Sequence, residues 1–237
     1  MSLRYPDDAI QTLASSWWVE DKTETIVRGR LIWTLIPYAE MKPYRLVPVG
    51  RGDAARQHTT ADFRIETFRV GDPPKGIATL PVAALPVREG ETYLVGRGKR
   101  RPAIVVSTGG APIPKDLRGG PNRWQSAQTI LVAPYYGADP SATRGGWPAP
   151  FVERIRRAEY PQYIWDILPI GRSEIESILR LDHIMPVGAD SANWRIEPYV
   201  LSVEARELFD QWLSWLITGN LSDASALGYA RTELAKL

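Results

Sequence analysis

Short runs of β-branched and aliphatic residues, broken by proline and glycine, constrain the fold of this chain more than any other feature. Residues 102–107 (PAIVVS) and 129–136 (TILVAPYY) are such runs, and both are typical of β-strands. The 237 residues include 20 Pro and 19 Gly, which favour many short elements over a helical bundle. The sequence therefore predicts a mainly β structure.

The N-terminal third shows the same pattern with one helical exception. Residues 8–18 predict a short helix, which Asp7 or Asp8 can cap. Residues 62–70 alternate in character, as a half-buried strand does. Residues 71–86 are rich in Pro and Gly and predict a linker. Strands are expected at residues 25–36, 44–49 and 62–70.

Beyond the linker the chain predicts further strands and then helices. Strands are expected at residues 91–95, 102–107 and 129–136, followed by an alternating run at 173–187. Ser202 is expected to cap a helix that ends before Gly219, and Asp223 to cap a last short helix. The apolar face of the long helix comprises Leu208, Phe209, Trp212, Leu213, Trp215 and Leu216. The expected fold class is mainly β with C-terminal helices, an α+β protein.

Composition excludes several kinds of site. The chain has no Cys and only two His, His58 and His183, so disulfides, thiolate metal sites, a Cys nucleophile and a His-rich metal site are excluded. No stretch approaches 18 apolar residues and no signal peptide is recognisable, so we expect a cytoplasmic protein without a membrane partner. The net charge of +2 means that nucleic-acid binding needs a local basic patch. We expect neither a metal nor a cofactor.

Three segments together resemble one protein family. Residues 88–95 (REGETYLV) are similar to an opening strand written RGEIWLV, and residues 99–107 (KRRPAIVVS) to a strand written RPVVVVS. Residues 177–184 (SILRLDHI) are similar to a VVRCDQ segment. In this order, and followed by an amphipathic helix, they resemble the PemK/MazF (Kid-type) toxin ribonucleases over roughly residues 87–219.

The resemblance implies a fold, an activity and partners. Residues 87–237 would form an SH3-like small barrel with C-terminal helices, and residues 1–86 would be a β-containing extension of unknown role. Members of the family are metal-independent endoribonucleases that cleave single-stranded RNA by attack of the 2′-hydroxyl on the adjacent phosphate. The resemblance further implies a homodimer and an acidic antitoxin protein as a partner.

Arg180 and Asp182 match the Arg-x-Asp of the Kid-type motif, where the resemblance implies an acid-like Arg and a base-like Asp. Residues i and i+2 of a strand point to the same face, so both side chains would share one surface while Leu179 and Leu181 face the core. A neighbouring guanidinium also keeps a carboxylate ionised. The alternative is an ordinary exposed ion pair on a strand.

Arg101 matches the active-site Arg that precedes Pro in MazF-like members, and its guanidinium could bind a phosphate through two hydrogen bonds. With Arg97, Lys99 and Arg100 it forms the clearest basic cluster, a candidate for tracking an RNA backbone. Solvated loop charges are the alternative interpretation. Tyr136 stands where the family has a small hydroxyl residue, and it is a candidate RNA-binding residue.

Other aromatic and imidazole side chains have weaker assignments. Tyr135, Trp124 and Trp147 could stack on bases like Tyr136, or pack in the core. The loop at residues 95–100 lacks the His that Kid-type members carry in their first loop. His183 follows Asp182, so on a strand it would point to the opposite face and be structural. His58 is assigned no role.

Three functions remain open on the sequence alone. The leading hypothesis is a toxin-like endoribonuclease with Asp182 as base, Arg180 as acid or phosphate clamp, and Arg101 as phosphate ligand. A catalytically inactive module that binds nucleic acid or protein is the main alternative. Inhibition of a protein target such as a topoisomerase is the third, since fold alone does not determine function.

Overall fold

The computed structural model describes residues 4–39, 42–50, 62–72, 90–117, 126–139, 145–170 and 175–236. The described chain is mostly antiparallel β-sheet with three α-helices, which confirms the expected mainly β, α+β class. The strands are β1 Trp18–Glu20, β2 Arg30–Pro37, β3 Tyr44–Gly50, β4 Asp62–Thr67, β5 Tyr93–Val95, β6 Gly98–Ser107, β7 Thr129–Gly137, β8 Tyr163–Leu168, β9 Ile175–Arg180, β10 Met185–Gly188 and β11 Trp194–Leu201. The α-helices are α1 Ala149–Arg156, α2 Val203–Thr218 and α3 Ala226–Leu234.

The chain divides into two compact units. One comprises residues 1–35 and 100–237, and the other residues 36–99. The division falls there rather than at residue 87 because β1 and β2 pair into the same sheet as the strands after residue 100. The second unit contains its own three-stranded sheet in the order β4-β3-β5.

The larger sheet has eight strands in the order β1-β11-β2-β6-β7-β9-β8, and β10 also pairs with β7. The path is open, with β1 and β8 at its ends, and no closed barrel is found among the described strands. One face carries a core cluster with Leu31, Ile104 and Leu179, on which α2 packs through Phe209 and Trp212. Trp212 is fully buried there, and the strands direct alternate side chains toward the same face. This face therefore forms the main core.

The opposite face of β8 and β9 has its own cluster. Trp165 and Ile178 lie there against Ile155 of α1. Neighbouring residues of β8 belong to different clusters, because successive side chains of a strand point to opposite faces. The β8–β9 end of this sheet is thus buried on both sides.

The helix ends test the predicted caps. Ser202 accepts a hydrogen bond from the Ala205 backbone N–H at 3.0 Å, and Gly219 ends α2 with a φ of 72°, as predicted. The prediction for α3 is wrong, since Ser225 and not Asp223 is its N-cap and accepts from Gly228.

The N-terminal helix also differs from its prediction. It is a single 3-10 turn, Ile10–Leu13, with Ala9 at the N-cap and no side-chain cap. Asp8 does not cap it, because its carboxylate forms an ion pair with Arg156 of α1 at 2.8 Å. Asp8, which was expected to cap a helix, instead links the N-terminal segment to α1.

Candidate active site

The candidate site forms where the predicted run at residues 173–187 is interrupted. It divides into β9, a 3-10 turn at Leu181–His183, and β10, all beside β7. Leu179 pairs with Tyr135 and Met185 with Val132, so five residues lie between the paired positions on one side and two on the other. The 3-10 turn accommodates the three extra residues. It brings to one surface side chains that a continuous strand would have directed to opposite faces.

Arg180 and Asp182 meet as an ion pair with two hydrogen bonds. Arg180 Nε donates to Asp182 Oδ1 at 2.7 Å, and Nη2 donates to Oδ2 at 2.6 Å. Leu179 and Leu181 are each 1% exposed in the core, as expected. Asp182, however, lies on the 3-10 turn and not on a strand.

The ion pair sets the charge state of both groups. Partial burial would raise the pKa of Asp182, but the hydrogen bonds and charge of Arg180 and the charge of His183 outweigh it, so the pKa is lowered. The hydrogen bonds to Asp182 raise the pKa of Arg180 against the opposing effect of burial. Asp182 is therefore ionised at neutral pH, and Arg180 is a firmly held cation.

Tyr136 of β7 lies at the centre of the site. The Arg101 guanidinium lies 4.2 Å from the centroid of its ring, and that of Arg180 lies 5.9 Å from it. Ala103 of β6 pairs with Pro134, and continuing that antiparallel register places Arg101 opposite Tyr136. The two predicted arginines thus approach one half-buried aromatic ring from neighbouring strands.

His183 also contacts Tyr136, which corrects its prediction. Its Nδ1 lies 2.8 Å from Tyr136 Oη, and the two rings meet edge to face at 5.6 Å between centroids. The prediction failed because it assumed a continuous strand, whereas the strand ends at Arg180. Two successive polar residues, Asp182 and His183, in an alternating run were the signal for the interruption.

An aromatic group adjoins the cations on the same face. The Arg180 guanidinium lies 5.1 Å from the Tyr163 ring, and Tyr163 contacts Trp147 and Phe151 edge-on. Trp147, a candidate for base stacking, is half-buried and stacked on Phe151 with centroids 5.5 Å apart. It therefore contributes to a packed aromatic group at the margin of the site.

Other predicted residues lie elsewhere. Tyr135 is in the core, where its hydroxyl donates to Asp166, so it does not stack on bases. Trp124 and His58 lie outside the described residues.

Arg100, the neighbour of Arg101 on β6, faces away from Arg101. Neighbouring residues of a strand face opposite ways, and the Arg100 guanidinium lies 5.4 Å from the ring of Trp33, which packs on the main core. Arg97 lies 5.7 Å from the Tyr38 ring within the second unit, where Lys99 is exposed. Arg100 therefore does not share the surface of Arg101 and Tyr136.

The described residues lack two kinds of feature. They contain no group of three or more His, Asp or Glu side chains placed to hold a metal ion. In the same part of the chain no helix has the length and apolar character needed to span a membrane.

Comparison of the chain with protein-family models, with curated proteins and with solved structures gives no match. What the site can do is therefore inferred from its own side chains and their contacts.

Proposed function

We propose that this protein is an endoribonuclease that cleaves single-stranded RNA by attack of the 2′-hydroxyl on the adjacent phosphate. The observation that carries the proposal is the convergence on Tyr136 of two guanidinium groups, Arg101 and Arg180, beside an ionised carboxylate and an imidazole. This grouping provides cations for a phosphate and groups for proton transfer within one surface.

Each side chain has a role that its contacts support. Arg101 and Arg180 would bind the scissile phosphate and offset charge on its oxygens as the phosphorane forms. Asp182, kept ionised by Arg180, would accept the proton of the 2′-hydroxyl. The half-buried ring of Tyr136 would hold both guanidinium groups in place through cation–π contacts.

We also propose a family, a cellular location and partners for this protein. Arg101-Pro102 and Arg180-x-Asp182, the motifs that resemble the PemK/MazF proteins, lie on β6 and on the β9 segment, both beside β7. We propose that these strands with α2 correspond to the SH3-like core of that family. A cytoplasmic location, a homodimer and an acidic antitoxin partner belong to the same proposal.

The direct test is cleavage of an end-labelled single-stranded RNA by the purified protein in EDTA. We expect products with 2′,3′-cyclic phosphate and 5′-hydroxyl ends. Asp182→Asn and Arg101→Ala should each slow cleavage by about 100-fold or more, since each removes a group that acts in the transition state. Cleavage by Asp182→Asn at the wild-type rate would refute Asp182 as the base.

Matched controls are available on the same chain. Asp210→Asn removes an exposed carboxylate that also pairs with an arginine, Arg28, and Arg195→Ala removes an exposed arginine that pairs with Glu197. Both control variants should cleave RNA like the wild type.

One observation favours a second function, RNA binding without cleavage. Both carboxylate oxygens of Asp182 accept hydrogen bonds from Arg180, and a carboxylate held in this way is a weaker base. RNA binding that depends on Arg101, with no products even at high enzyme concentration, would support that function over the endoribonuclease.

A further inference from the structure

A cavity of about 530 Å³ lies beside the N-terminal segment, and the proposed function does not use it. Its wall includes four aromatic side chains, those of Tyr5, Trp17, Trp18 and Tyr199. The described residues that line it include none of the side chains of the candidate active site. Its volume lies within the range of about 300–1,000 Å³ that is usual for small-molecule sites.

Two of the aromatic side chains are held in place by the buried carboxyl group of Asp166. Tyr5 Oη donates to Asp166 Oδ1 at 3.0 Å, and Trp18 Nε1 donates to Oδ2 at 3.2 Å. Trp17 and Trp18 also belong to the main core cluster, in which they are 3% and 8% exposed. Because these rings are fixed before a ligand arrives, binding requires little further ordering of side chains.

Gln11 supplies a polar group at the same cavity. Its side chain is 1% exposed, and its Nε2 donates to the backbone carbonyl of Trp165. Gln11 lines the cavity, and its buried Oε1 accepts no hydrogen bond from any described residue. The amide cannot turn its N–H groups toward a ligand without losing the bond to Trp165. The cavity therefore favours a ligand that donates a hydrogen bond to Gln11 Oε1.

We propose that this cavity binds a nucleobase that carries an amino group, such as adenine. The base lies against the aromatic rings, and its amino group donates to Gln11 Oε1. Every base has a π-face that stacks on aromatic side chains, and a glutamine side chain can pair with the adenine amino group. A purely apolar ligand would leave the oxygen unpaired. The proposal does not rest on the endoribonuclease function, because Arg101, Arg180 and Asp182 do not line the cavity.

The test is isothermal titration calorimetry of the full chain with adenosine and with purine riboside, which is the same nucleoside without the amino group. We expect adenosine to bind at least about tenfold more tightly, because purine riboside leaves Gln11 Oε1 unpaired. Tryptophan fluorescence should change on binding, since Trp17 and Trp18 line the cavity. Equal affinity for the two nucleosides, or no binding of adenosine at millimolar concentration, would overturn the proposal.

Two variants test the amide and the aromatic wall separately. Gln11→Met keeps the length of the side chain and removes its oxygen, so adenosine and purine riboside should bind equally weakly. Tyr199→Leu keeps an apolar side chain without a π-face, so both nucleosides should bind more weakly while adenosine keeps its advantage. Adenosine binding that neither variant weakens would place the ligand elsewhere and contradict the proposal.

The matched control is Gln128→Met, which should bind adenosine like the wild type. Gln128 Nε2 also donates to backbone carbonyls, those of Thr108 and Gly110, but its side chain is exposed and does not line the cavity. Circular dichroism of each variant detects loss of folding. If Gln11→Met does not fold, the comparison of adenosine with purine riboside on the wild type still decides the question.

The base can come from a free nucleoside or from an RNA chain, and a trinucleotide of adenosine distinguishes these sources. If the site takes a base of RNA, the trinucleotide should bind at least as tightly as adenosine and compete with it, and Gln11→Met should weaken both. If the site takes a free nucleoside, the trinucleotide should not displace adenosine. Either result supports the proposed recognition of the base, whereas displacement of adenosine by purine riboside at equal concentration would refute it.

Discussion

The carboxyl group of Asp166 should make the stability of this protein depend on pH, and Asp166→Asn should remove that dependence. Asp166 of β8 is fully buried and is surrounded by neutral donors. Tyr5 and Tyr135 each donate a hydroxyl hydrogen bond at 3.0 Å, and the Trp18 indole N–H donates at 3.2 Å. Burial raises the pKa of Asp166 from 3.8 to about 7, although hydrogen bonds from Tyr135, Tyr5 and Trp18 oppose the change.

The direction of the pH dependence follows from the linkage between protonation of Asp166 and folding. The folded protein holds the proton of Asp166 more tightly than the unfolded chain, so this stabilisation is complete below pH 3.8 and is lost as the pH rises through about 7. The whole difference corresponds to about 4 kcal/mol, and more than half of it is lost between pH 5 and pH 8. Wild-type protein should thus unfold more easily at pH 8 than at pH 5.

The assay is urea unfolding followed by tryptophan fluorescence at several pH values between 5 and 8. Asp166→Asn cannot ionise, so its free energy of unfolding should change across this range by about 2–3 kcal/mol less than that of the wild type. Its stability at pH 5 should be lower by about 1–3 kcal/mol, because an amide nitrogen in place of Oδ2 cannot accept the hydrogen bonds that this oxygen receives from Tyr135 and Trp18.

Asp139→Asn, at an exposed position, is the control and should keep the wild-type pH dependence. Other groups titrate in this range, so the difference between variants isolates Asp166. A wild-type free energy of unfolding that is equal at pH 5 and pH 8, or a slope unchanged by Asp166→Asn, would refute the reasoning.

Two further predictions concern local structure. Ser202→Ala should lower the free energy of unfolding by about 1 kcal/mol, because the Ala205 N–H loses its capping partner, and urea unfolding would detect the change. Gly109 and Gly110 share a φ of 79°, but only at Gly109 would an added Cβ overlap the carbonyl oxygen of Thr129. Gly109→Ala should therefore lower the thermal midpoint more than Gly110→Ala, and equal effects would exclude the steric cause.

Where the sequence predicted secondary structure correctly, the signals were local. Strands β6 and β7 contain runs of β-branched and aliphatic residues at 103–106 and 129–133, and α2 carries both a serine cap and a terminal glycine. β8 was missed because it is buried on both faces and so shows no alternation. Its residue Asp166 is typical of a loop when only the sequence is known, because its three hydrogen-bond donors lie in distant parts of the chain.

The order of the strands in the larger sheet could not be predicted from local sequence patterns. β11 lies between β1 and β2, so the C-terminal part of the chain joins strands from the first 37 residues. Nothing in the composition of residues 18–20 or 194–201 specifies which strand each will pair with, since partners of similar apolar character occur elsewhere in the chain. A domain boundary placed by linker composition therefore could not anticipate this sheet.

Prediction from local sequence patterns has the same limit at the candidate site, where it fails at a single turn. Arg101, Arg180, Asp182 and Tyr136 could be proposed from the sequence because three of them lie in motifs and Tyr136 lies at the end of a predicted strand. His183 could not, because its position depends on three extra residues between two pairings with β7. The departure from strand geometry places an imidazole beside Tyr136 that regular alternation would have directed into the core. Irregularities in sheet pairing such as β-bulges are over-represented next to active sites, which supports placing the proposed chemistry at this turn.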